Sequence, residues 1–243
     1  MVKKMLVISI LSILLIVFLG YMVIPNYMVR HKTPDVIRTI KNQTKKSIAL
    51  TFDDGPDPMY TNRLLDILKE HDIKATFFLV ADKARKNSGI VQRMKVEGHG
   101  IGMHSLYHKP AWLSLPHETI NEFSKSLAIF SDLGLHITYF RPPWGTFNAL
   151  TLPGALKHKL KVILWTVEAF DWRKDNSPSQ IEEILLRRTQ DQDIIVLHDS
   201  GGAIGAPENT LQALETTIPK LLKKGFHFVT VDESLAERGD DNA

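Results

Sequence analysis

The sequence contains no cysteine among its 243 residues. This absence excludes disulfide bonds, zinc–thiolate sites and thiol nucleophiles, and it leaves the redox compartment undetermined. Any metal centre in this chain must therefore be built from histidine and carboxylate side chains.

The chain also lacks a large excess of charge of either sign. Its 30 basic side chains are balanced by 27 acidic ones, which gives a formal net charge of +3, and this argues against a nucleic-acid-binding protein. A hydrophobic content of 44% argues against disorder and is enough for one large domain or two small ones. No feature of the sequence indicates an oligomeric state.

One long apolar run is present, and it lies near the N-terminus. Residues 5–24 contain no charged side chain and follow Lys3 and Lys4, and a helix of about 20 residues spans a bilayer core. We interpret residues 1–24 as an uncleaved anchor, because Phe18 does not suit the cleavage site of an export signal. A buried core helix is the alternative, but every face of this segment is apolar.

The basic pair before the run favours a cytoplasmic N-terminus. This predicts a single-pass cell-membrane protein with an extracytoplasmic domain, or a secreted protein if the apolar segment is cleaved. Residues 25–46 are polar, contain two prolines and are interpreted as a linker. Residues 237–243 are interpreted as a polar tail.

Residues 47–236 alternate short apolar runs with amphipathic segments of helical period. About seven such units favour a single α/β domain, a barrel of parallel strands each followed by a helix. An open doubly wound sheet is the alternative. In a barrel of this kind the chemistry lies at the carboxyl ends of the strands.

Polar side chains with acid, base or ligand chemistry follow five of the seven apolar runs. They are Asp53 and Asp54, His104 and His108, Arg141, Asp171, and His198. Because the carboxyl ends of parallel strands share one rim, we expect these side chains to converge there.

His104 and His108 have the i, i+4 spacing that places two imidazoles on one face of a helical turn, where they can share a cation. Asp53 and Asp54 are neighbours on a strand and point in opposite directions, so one can bind the metal while the other acts as a general base. The alternative is that "DDGPDP" is only a turn, because Asp, Gly and Pro all favour turns.

Two further side chains suggest supporting roles. Arg141 is followed by two prolines, which suit it to orient a carboxylate by a bidentate contact. Asp171 and His198 could form a carboxylate–imidazole pair that keeps the imidazole charged, as a general acid requires.

Taken in order, the strand ends carry the motifs "TFDDG", "HSLYH", "RPPWG", "FDW" and "LHDS". With these five motifs the sequence resembles the polysaccharide deacetylases, the NodB-homology enzymes of carbohydrate esterase family 4. The resemblance covers nearly all of residues 47–235. It implies a distorted (β/α) barrel with fewer than eight strands and a divalent metal, most often zinc but also cobalt or nickel, held by Asp54, His104 and His108.

The resemblance also implies roles for the remaining side chains. Asp53 is expected to be the general base, held by Arg141, and His198 the general acid, tuned by Asp171. Trp172 and Leu197 are expected to line the pocket for the acetyl methyl group, and the backbone N–H of Trp144 to contribute to an oxyanion hole.

The chain departs from the family pattern at three positions. The family often has Tyr in place of Trp144, but the expected contribution of this residue is its backbone N–H. Gly100 and Met103 stand where the family commonly has Glu and Asn, and polar groups beside a metal ligand tune its affinity.

The expected function is metal-assisted N-deacetylation of N-acetylglucosamine units in an extracytoplasmic polysaccharide such as peptidoglycan, poly-N-acetylglucosamine or chitin oligomers. Three alternatives stay open: a membrane-tethered glycan-binding protein, an O-acetyl esterase of the same family, and a glycosidase. A glycosidase needs two carboxyl groups on either side of the scissile bond and would leave the paired histidines without a role.

Overall fold

In the computed structural model, which describes residues 2–41 and 46–239, the strands form one parallel sheet. The strands are β1 Val36–Ile37, β2 Ser47–Asp53, β3 Thr76–Leu79, β4 Gly100–Met103, β5 Tyr139–Phe140, β6 Lys161–Ile163, β7 Val167–Glu168, β8 Ile194–His198 and β9 His227–Phe228. The helices are α1 Val2–Phe18, α2 Ile24–Lys32, α3 Thr61–Glu70, α4 Ala81–Lys86, α5 Ser88–Val96, α6 Pro116–Asp132, α7 Thr151–Lys157, α8 Pro178–Arg188, α9 Ala206–Lys223 and α10 Val231–Gly239.

The strand order is β1-β6-β5-β4-β3-β2-β8-β7, and β9 pairs with β2 outside this path. Only three residues, Leu164 to Thr166, separate β6 from β7 in the chain. Because β6 and β7 lie near opposite ends of the strand order, this short connection draws the two ends together. The sheet is therefore curled into an incomplete barrel, which confirms the predicted fold class, although the described residues contain nine strands where about seven were predicted.

The helices cover the sheet with stripes of apolar side chains. In α3 the buried residues include Leu64, Leu65 and Leu68, at the spacing of one helical face. The start of α8 is fixed by a capping box, in which Ser177 Oγ accepts a hydrogen bond from the Gln180 backbone while the Gln180 side chain binds the Ser177 N–H. Strand β2 is buried along its whole length. Its carboxyl end places Asp53 and Asp54 at the rim of the incomplete barrel.

The N-terminal segment is a helix from Val2 to Lys32 that contains a π-helical turn at Leu19–Val23. It is long and apolar enough to cross a membrane, and none of its most apolar 18-residue window is buried. The predicted anchor thus has the helical form that a membrane span or an export signal requires.

The segment predicted as a linker contains regular structure. Helix α2 and strand β1 lie within residues 25–46, and β1 pairs with β6; residues 42–45 lie outside the described residues. The helix also docks on the domain, because the Ala149 N–H donates to Tyr21 O at 2.8 Å and the Phe147 N–H to Asn26 Oδ1 at 2.8 Å. Of the predicted tail, residues 237–239 belong to α10 and residues 240–243 lie outside the described part of the chain.

Close packing at Gly102 in β4 gives a test of the fold. A methyl group at this position would lie 2.5 Å from the ring carbons of Tyr139 and 2.9 Å from Phe78. We expect Gly102→Ala to lower the free energy of unfolding by about 1–3 kcal/mol, as overpacking of a core does. Chemical denaturation of the full chain in detergent, followed by circular dichroism, measures this change.

Gly89→Ala is the matched control, because Gly89 lies in α5 with no atom within 4 Å of the added methyl group. Removing glycine from a helix should raise stability by about 0.5–1 kcal/mol. Equal denaturation midpoints for the wild type and Gly102→Ala would contradict the packing described for β4.

Candidate active site

Three potential metal ligands meet where β2 and β4 end. Oδ1 of Asp54 lies 2.8 Å from Nε2 of His108 and 3.3 Å from Nε2 of His104. Asp54 turns its side chain out of the strand because its backbone is left-handed, with φ of 75°. The donor atoms of these three residues all lie within 4.8 Å of one another, as a shared cation requires.

The prediction that the two histidines lie on a helical turn is wrong. Residues 104–108 form an irregular loop in which Ser105 and His108 have φ of 70° and 55°, and the His108 N–H donates to Ser105 Oγ at 2.9 Å. Both imidazoles lie beside Asp54, but an irregular loop places them there and not the helical turn that the i, i+4 spacing predicts.

The chemistry of these three side chains fits a divalent metal. Oδ1 of Asp54 is buried and faces only the two imidazole nitrogens; apart from these ion-pair contacts it has no hydrogen-bond partner among the described residues, although a buried carboxylate oxygen normally has one. Burial raises the pKa of the Asp54 carboxyl, but the imidazoles of His104 and His108 outweigh burial and hold it well below its usual range. A bound cation would satisfy the orphaned oxygen.

The tautomer of His104 also suits a ligand. Its Nδ1 lies 2.7 Å from the backbone oxygen of Arg141, which can only accept, so Nδ1 carries the proton. The lone pair of the neutral ring is then on Nε2, the atom that faces Asp54. A hydrogen bond of this kind fixes the orientation of metal-binding histidines.

Asp53 is held by a buried guanidinium. Nη1 of Arg141 donates to Oδ1 of Asp53 at 2.7 Å and to Oγ1 of Thr51 at 2.8 Å. The contact involves one nitrogen and one carboxylate oxygen, so the bidentate contact expected from the sequence is wrong. Oδ2 of Asp53 is left on the side of the metal site, 3.8 Å from Nε2 of His104.

Arg141 itself is completely buried. Its other donors reach the backbone oxygens of Ile163 and Leu164 at 3.4 Å, and its guanidinium lies 3.9 Å from the centre of the Phe78 ring. Burial lowers the pKa of the guanidinium, and the adjacent Asp53 opposes this shift. The arginine is therefore an interior cation that depends on Asp53 for its counter-charge.

His198 and Asp171 form the second ion pair of the site. Nδ1 of His198 lies 2.9 Å from Oδ1 of Asp171, while Oδ2 accepts from the His198 backbone N–H at 2.8 Å and from Oγ1 of Thr210 at 2.9 Å. Burial lowers the pKa of His198, but the negative charge of Asp171, helped by the two acidic residues of β2, raises it to about 10. The ring is therefore protonated at neutral pH.

One cavity of about 380 Å³ is lined by Asp53, Asp54, His104, His108 and His198. Their partners Arg141 and Asp171 are fully buried. The ring of Trp144 packs on His108 with centroids 4.2 Å apart, and Trp172 is exposed at the cavity edge with its Nε1–H donating to Glu168 at 3.1 Å. Val196 lines the cavity, whereas Leu197 lies in the hydrophobic core. Side chains alternate along β8, so the residue two before His198 shares its face, and the assignment of Leu197 to the pocket is wrong.

The cavity also contains residues that sequence reasoning missed. Nζ of Lys83 donates to Asp54 O at 2.9 Å and to Ser200 Oγ at 2.8 Å; in the sequence it resembles any surface lysine of a helix. Trp165 and Glu168 lie in and after the β6–β7 connection, and Arg30 comes from the predicted linker. The apolar run "KVILWTV" could have been divided at Trp165, but nothing in the sequence placed Arg30 here.

The departures at Gly100 and Met103 both lie within β4. Gly100 begins β4, a strand length away from His104, and a methyl group there would meet Asp232, Thr76 and Tyr139. Met103 is buried in the hydrophobic core. Its backbone oxygen accepts from the Arg141 N–H at 2.9 Å, a contact that does not depend on the side chain.

Comparison with known proteins identifies the family of the chain. A family profile described as polysaccharide deacetylase matches residues 40–163, just over half of the chain. The chain is 36% identical over 208 residues to the peptidoglycan-N-acetylglucosamine deacetylase PgdA of Listeria monocytogenes, covering 85% of this chain and 42% of that protein. It thus spans about two fifths of the length of this relative.

Two solved structures are similar over most of the chain. The Bc1960 peptidoglycan N-acetylglucosamine deacetylase has a TM-score of 0.76 and 33% identity, covering 82% of this chain and 92% of that chain. BA3943, described as a CE4 family pseudoenzyme from Bacillus anthracis, has a TM-score of 0.74 and 26% identity, covering 84% of this chain and 69% of that one. From the profile match and the identity to Bc1960, together with the shared fold, we conclude that this chain belongs to the polysaccharide deacetylase family.

Proposed function

We propose that the protein is a metal-dependent N-deacetylase that removes acetyl groups from N-acetylglucosamine units of peptidoglycan. The observation that carries the proposal is that a single cavity contains a metal-ligand set, a carboxylate fixed by a buried guanidinium, and a protonated imidazole. Two of the relatives compared above are described as peptidoglycan N-acetylglucosamine deacetylases, which supports this substrate over other acetylated glycans.

The metal ligands in this proposal are Asp54, His104 and His108, and the metal is zinc, with cobalt or nickel as alternatives. Two imidazoles and one carboxylate leave coordination positions free, as in catalytic zinc sites. A divalent cation bound there supplies a Lewis acid that polarises the acetamido carbonyl group.

Asp53 is the general base. Arg141 fixes Oδ1, so that Oδ2 is left facing the side of the metal ligands and takes the proton from the attacking water molecule. The Arg141 side chain does not touch the substrate in this account, and its role is to position the base.

His198 is the general acid. Asp171 accepts the Nδ1–H, so Nε2 is the atom that can donate its proton to the departing nitrogen. The carbonyl carbon–nitrogen bond breaks, and the products are acetate and a glucosamine unit with a free amine.

The remaining pocket residues orient the acetamido group. The backbone N–H of Trp144, in the turn Pro143–Gly145, stabilises the negative charge that develops on the carbonyl oxygen. Trp172 and Val196 provide apolar surface for the acetyl methyl group.

The helix Val2–Lys32 anchors the protein in this proposal, with the catalytic domain on the extracytoplasmic side, where peptidoglycan lies. Its apolar length suits a bilayer, and Tyr21 and Asn26 connect it to the domain. The cavity is then held close to the membrane surface.

A glycan-binding protein without turnover is the second candidate, since a pseudoenzyme of the same fold is known. The glycosidase reading has little support, because the carboxylates of the cavity already have partners. Asp53 is paired with Arg141, Asp54 lies against the two histidines, and Glu168 accepts a hydrogen bond from Trp172.

The direct test incubates the full chain in detergent with N-acetylglucosamine oligomers and with peptidoglycan fragments, and follows the products by mass spectrometry. We expect loss of acetyl mass with the chain length intact, abolished by a chelator and restored by zinc. Shortened chains would indicate a glycosidase. Bound glycan without acetate release would indicate a binding protein.

Replacement of the base separates chemistry from metal binding. We expect Asp53→Asn to be less stable, because Arg141 loses its counter-charge. In the fraction that is folded and binds zinc by titration, we expect kcat for acetate release to fall by about 100-fold or more, the usual contribution of a positioned base. The surface variant Asp66→Asn should match the wild type. Turnover within a few fold of the wild type in Asp53→Asn would show that another group takes the proton.

The Asp171–His198 pair predicts a pH dependence. His198 has a raised pKa, so its acidic form is present at neutral pH and is lost as the pH rises through about 10. In Asp171→Asn the main group that raises this pKa is gone and burial lowers it, so the alkaline limb of the kcat profile should move to lower pH. A variant that loses activity equally at every pH would contradict this role for Asp171.

A further inference from the structure

A second, smaller cavity adjoins the catalytic one and has no role in the mechanism above. It has a volume of about 150 Å³ and is lined by Arg30, His31, Arg38, Leu164 and Trp165. Arg30 and Trp165 line both cavities, so the two spaces meet at these side chains. We refer to the smaller space as the basic side pocket.

The guanidinium of Arg30 is only loosely engaged. Nη1 reaches the backbone oxygens of Trp144 and Gly145 at 3.4 and 3.3 Å, distances at the long end of the hydrogen-bond range. Within residues 2–41 and 46–239, neither Nε nor Nη2 of Arg30 has a hydrogen-bond partner, and no carboxylate forms an ion pair with it. Its guanidinium therefore keeps donors that a ligand could use.

Arg38 adds a second fixed positive charge next to Arg30. Its three nitrogens donate to backbone oxygens between the end of α2 and the start of β1, including Val29 at 2.9 Å and Val36 at 2.8 Å. These bonds hold the side chain in place but do not neutralise it, and no carboxylate in the described part of the chain pairs with it. Burial lowers the pKa of Arg38, and repulsion from Arg30 lowers it further.

Two neighbouring guanidinium groups without a counter-charge favour an anion between or beside them. Arginine binds carboxylates with charge-assisted hydrogen bonds, and a partly enclosed site strengthens them. The pocket has room for a carboxylate on a short substituent, and it shares Arg30 and Trp165 with the cavity that is proposed to hold the acetamido group. The anion that fits is therefore carried by the same glycan.

Resting on the proposed deacetylase function, we infer that the basic side pocket is an anion subsite, in which Arg30 binds a carboxylate on the sugar next to the one being deacetylated. This residue determines specificity: it favours glycans with carboxylate-bearing substituents over neutral N-acetylglucosamine polymers. An anionic lipid headgroup is the competing ligand because α2 continues from the apolar helix. Arg30, however, also lines the catalytic cavity, and its Nη1 donates to the backbone oxygens of Trp144 and Gly145 in the turn at that cavity.

The test compares two glycans of equal length that differ in one group. The first carries a free carboxylate on alternate sugars, and in the second each carboxylate is converted to a methyl amide. The full chain is reconstituted in nanodiscs of zwitterionic lipid, and kcat/KM for acetate release is measured. We expect the wild type to prefer the free acid by at least about tenfold, the effect of one charged hydrogen bond, mainly through KM.

Arg30→Gln should bring this preference to about one, and Arg30→Lys should keep part of it. Arg187→Gln is the matched control, because Arg187 is an exposed arginine of α8 that lines neither cavity. It removes the same charge and should keep the wild-type preference.

Three results would overturn the inference. A wild-type preference near one excludes the subsite. An equal loss on both glycans in Arg30→Gln, with the preference intact, assigns Arg30 to docking of the helix alone. A preference near one combined with an effect of Arg30→Gln that appears only with anionic lipid assigns it to the membrane surface.

The subsite can also be judged without turnover. If the wild type releases acetate from neither glycan, the proposed function fails, and calorimetric binding of the same two glycans to the wild type and Arg30→Gln decides the subsite separately. Preferential binding of the free acid that is lost in Arg30→Gln supports it, and equal binding of the two glycans overturns it.

Discussion

The buried ion pair between Arg141 and Asp53 organises the site. Arg141 has no access to solvent, and an uncompensated charge at such a position costs about 3–5 kcal/mol. The pair therefore fixes the end of β2 against the end of β5. The same arginine also holds β4, because its N–H donates to Met103 and its backbone oxygen accepts from Nδ1 of His104. One residue thus positions the proposed base and sets the tautomer of His104, a proposed metal ligand.

One cavity contains two opposite electrostatic environments: one suits a cation, and the other keeps a proton on an imidazole. Around Asp54 the partners are imidazoles, and one carboxylate oxygen is left without a hydrogen bond, which suits a cation. Around His198 the partner is a buried carboxylate, which keeps a proton on the ring. Metal ligand and proton donor use the same two residue types, and burial and pairing decide which task each performs.

Much of this arrangement could be predicted from the sequence. Parallel strands end at a common rim, so acidic and basic residues placed after successive apolar runs, such as Asp53, His104 and His198, were bound to converge. The sequence could not predict the loop at 104–108, because left-handed residues other than glycine leave no clear pattern. Leu197 was misplaced for a simpler reason: strand alternation puts Val196, not Leu197, on the face of His198.

Local sequence patterns could not predict that the N-terminal helix contributes to the wall of the cavity. Residues 25–46 are polar and contain proline, which is typical of a linker, yet Val36 and Ile37 pair with β6 and Arg30 reaches the catalytic cavity. These contacts join residues that are more than 100 positions apart in the chain. Only the curled sheet brings them together. The result is a cavity whose wall is partly made by the helix that is proposed to anchor the protein.

The central claim is that Asp54, His104 and His108 form a metal site. The most direct measurement is zinc-edge X-ray absorption on the zinc-loaded full chain, compared with His108→Gln. We expect two imidazole ligands with oxygen ligands completing the shell, and one imidazole fewer in the variant. A spectrum without imidazole scattering, or one unchanged in His108→Gln, would contradict it.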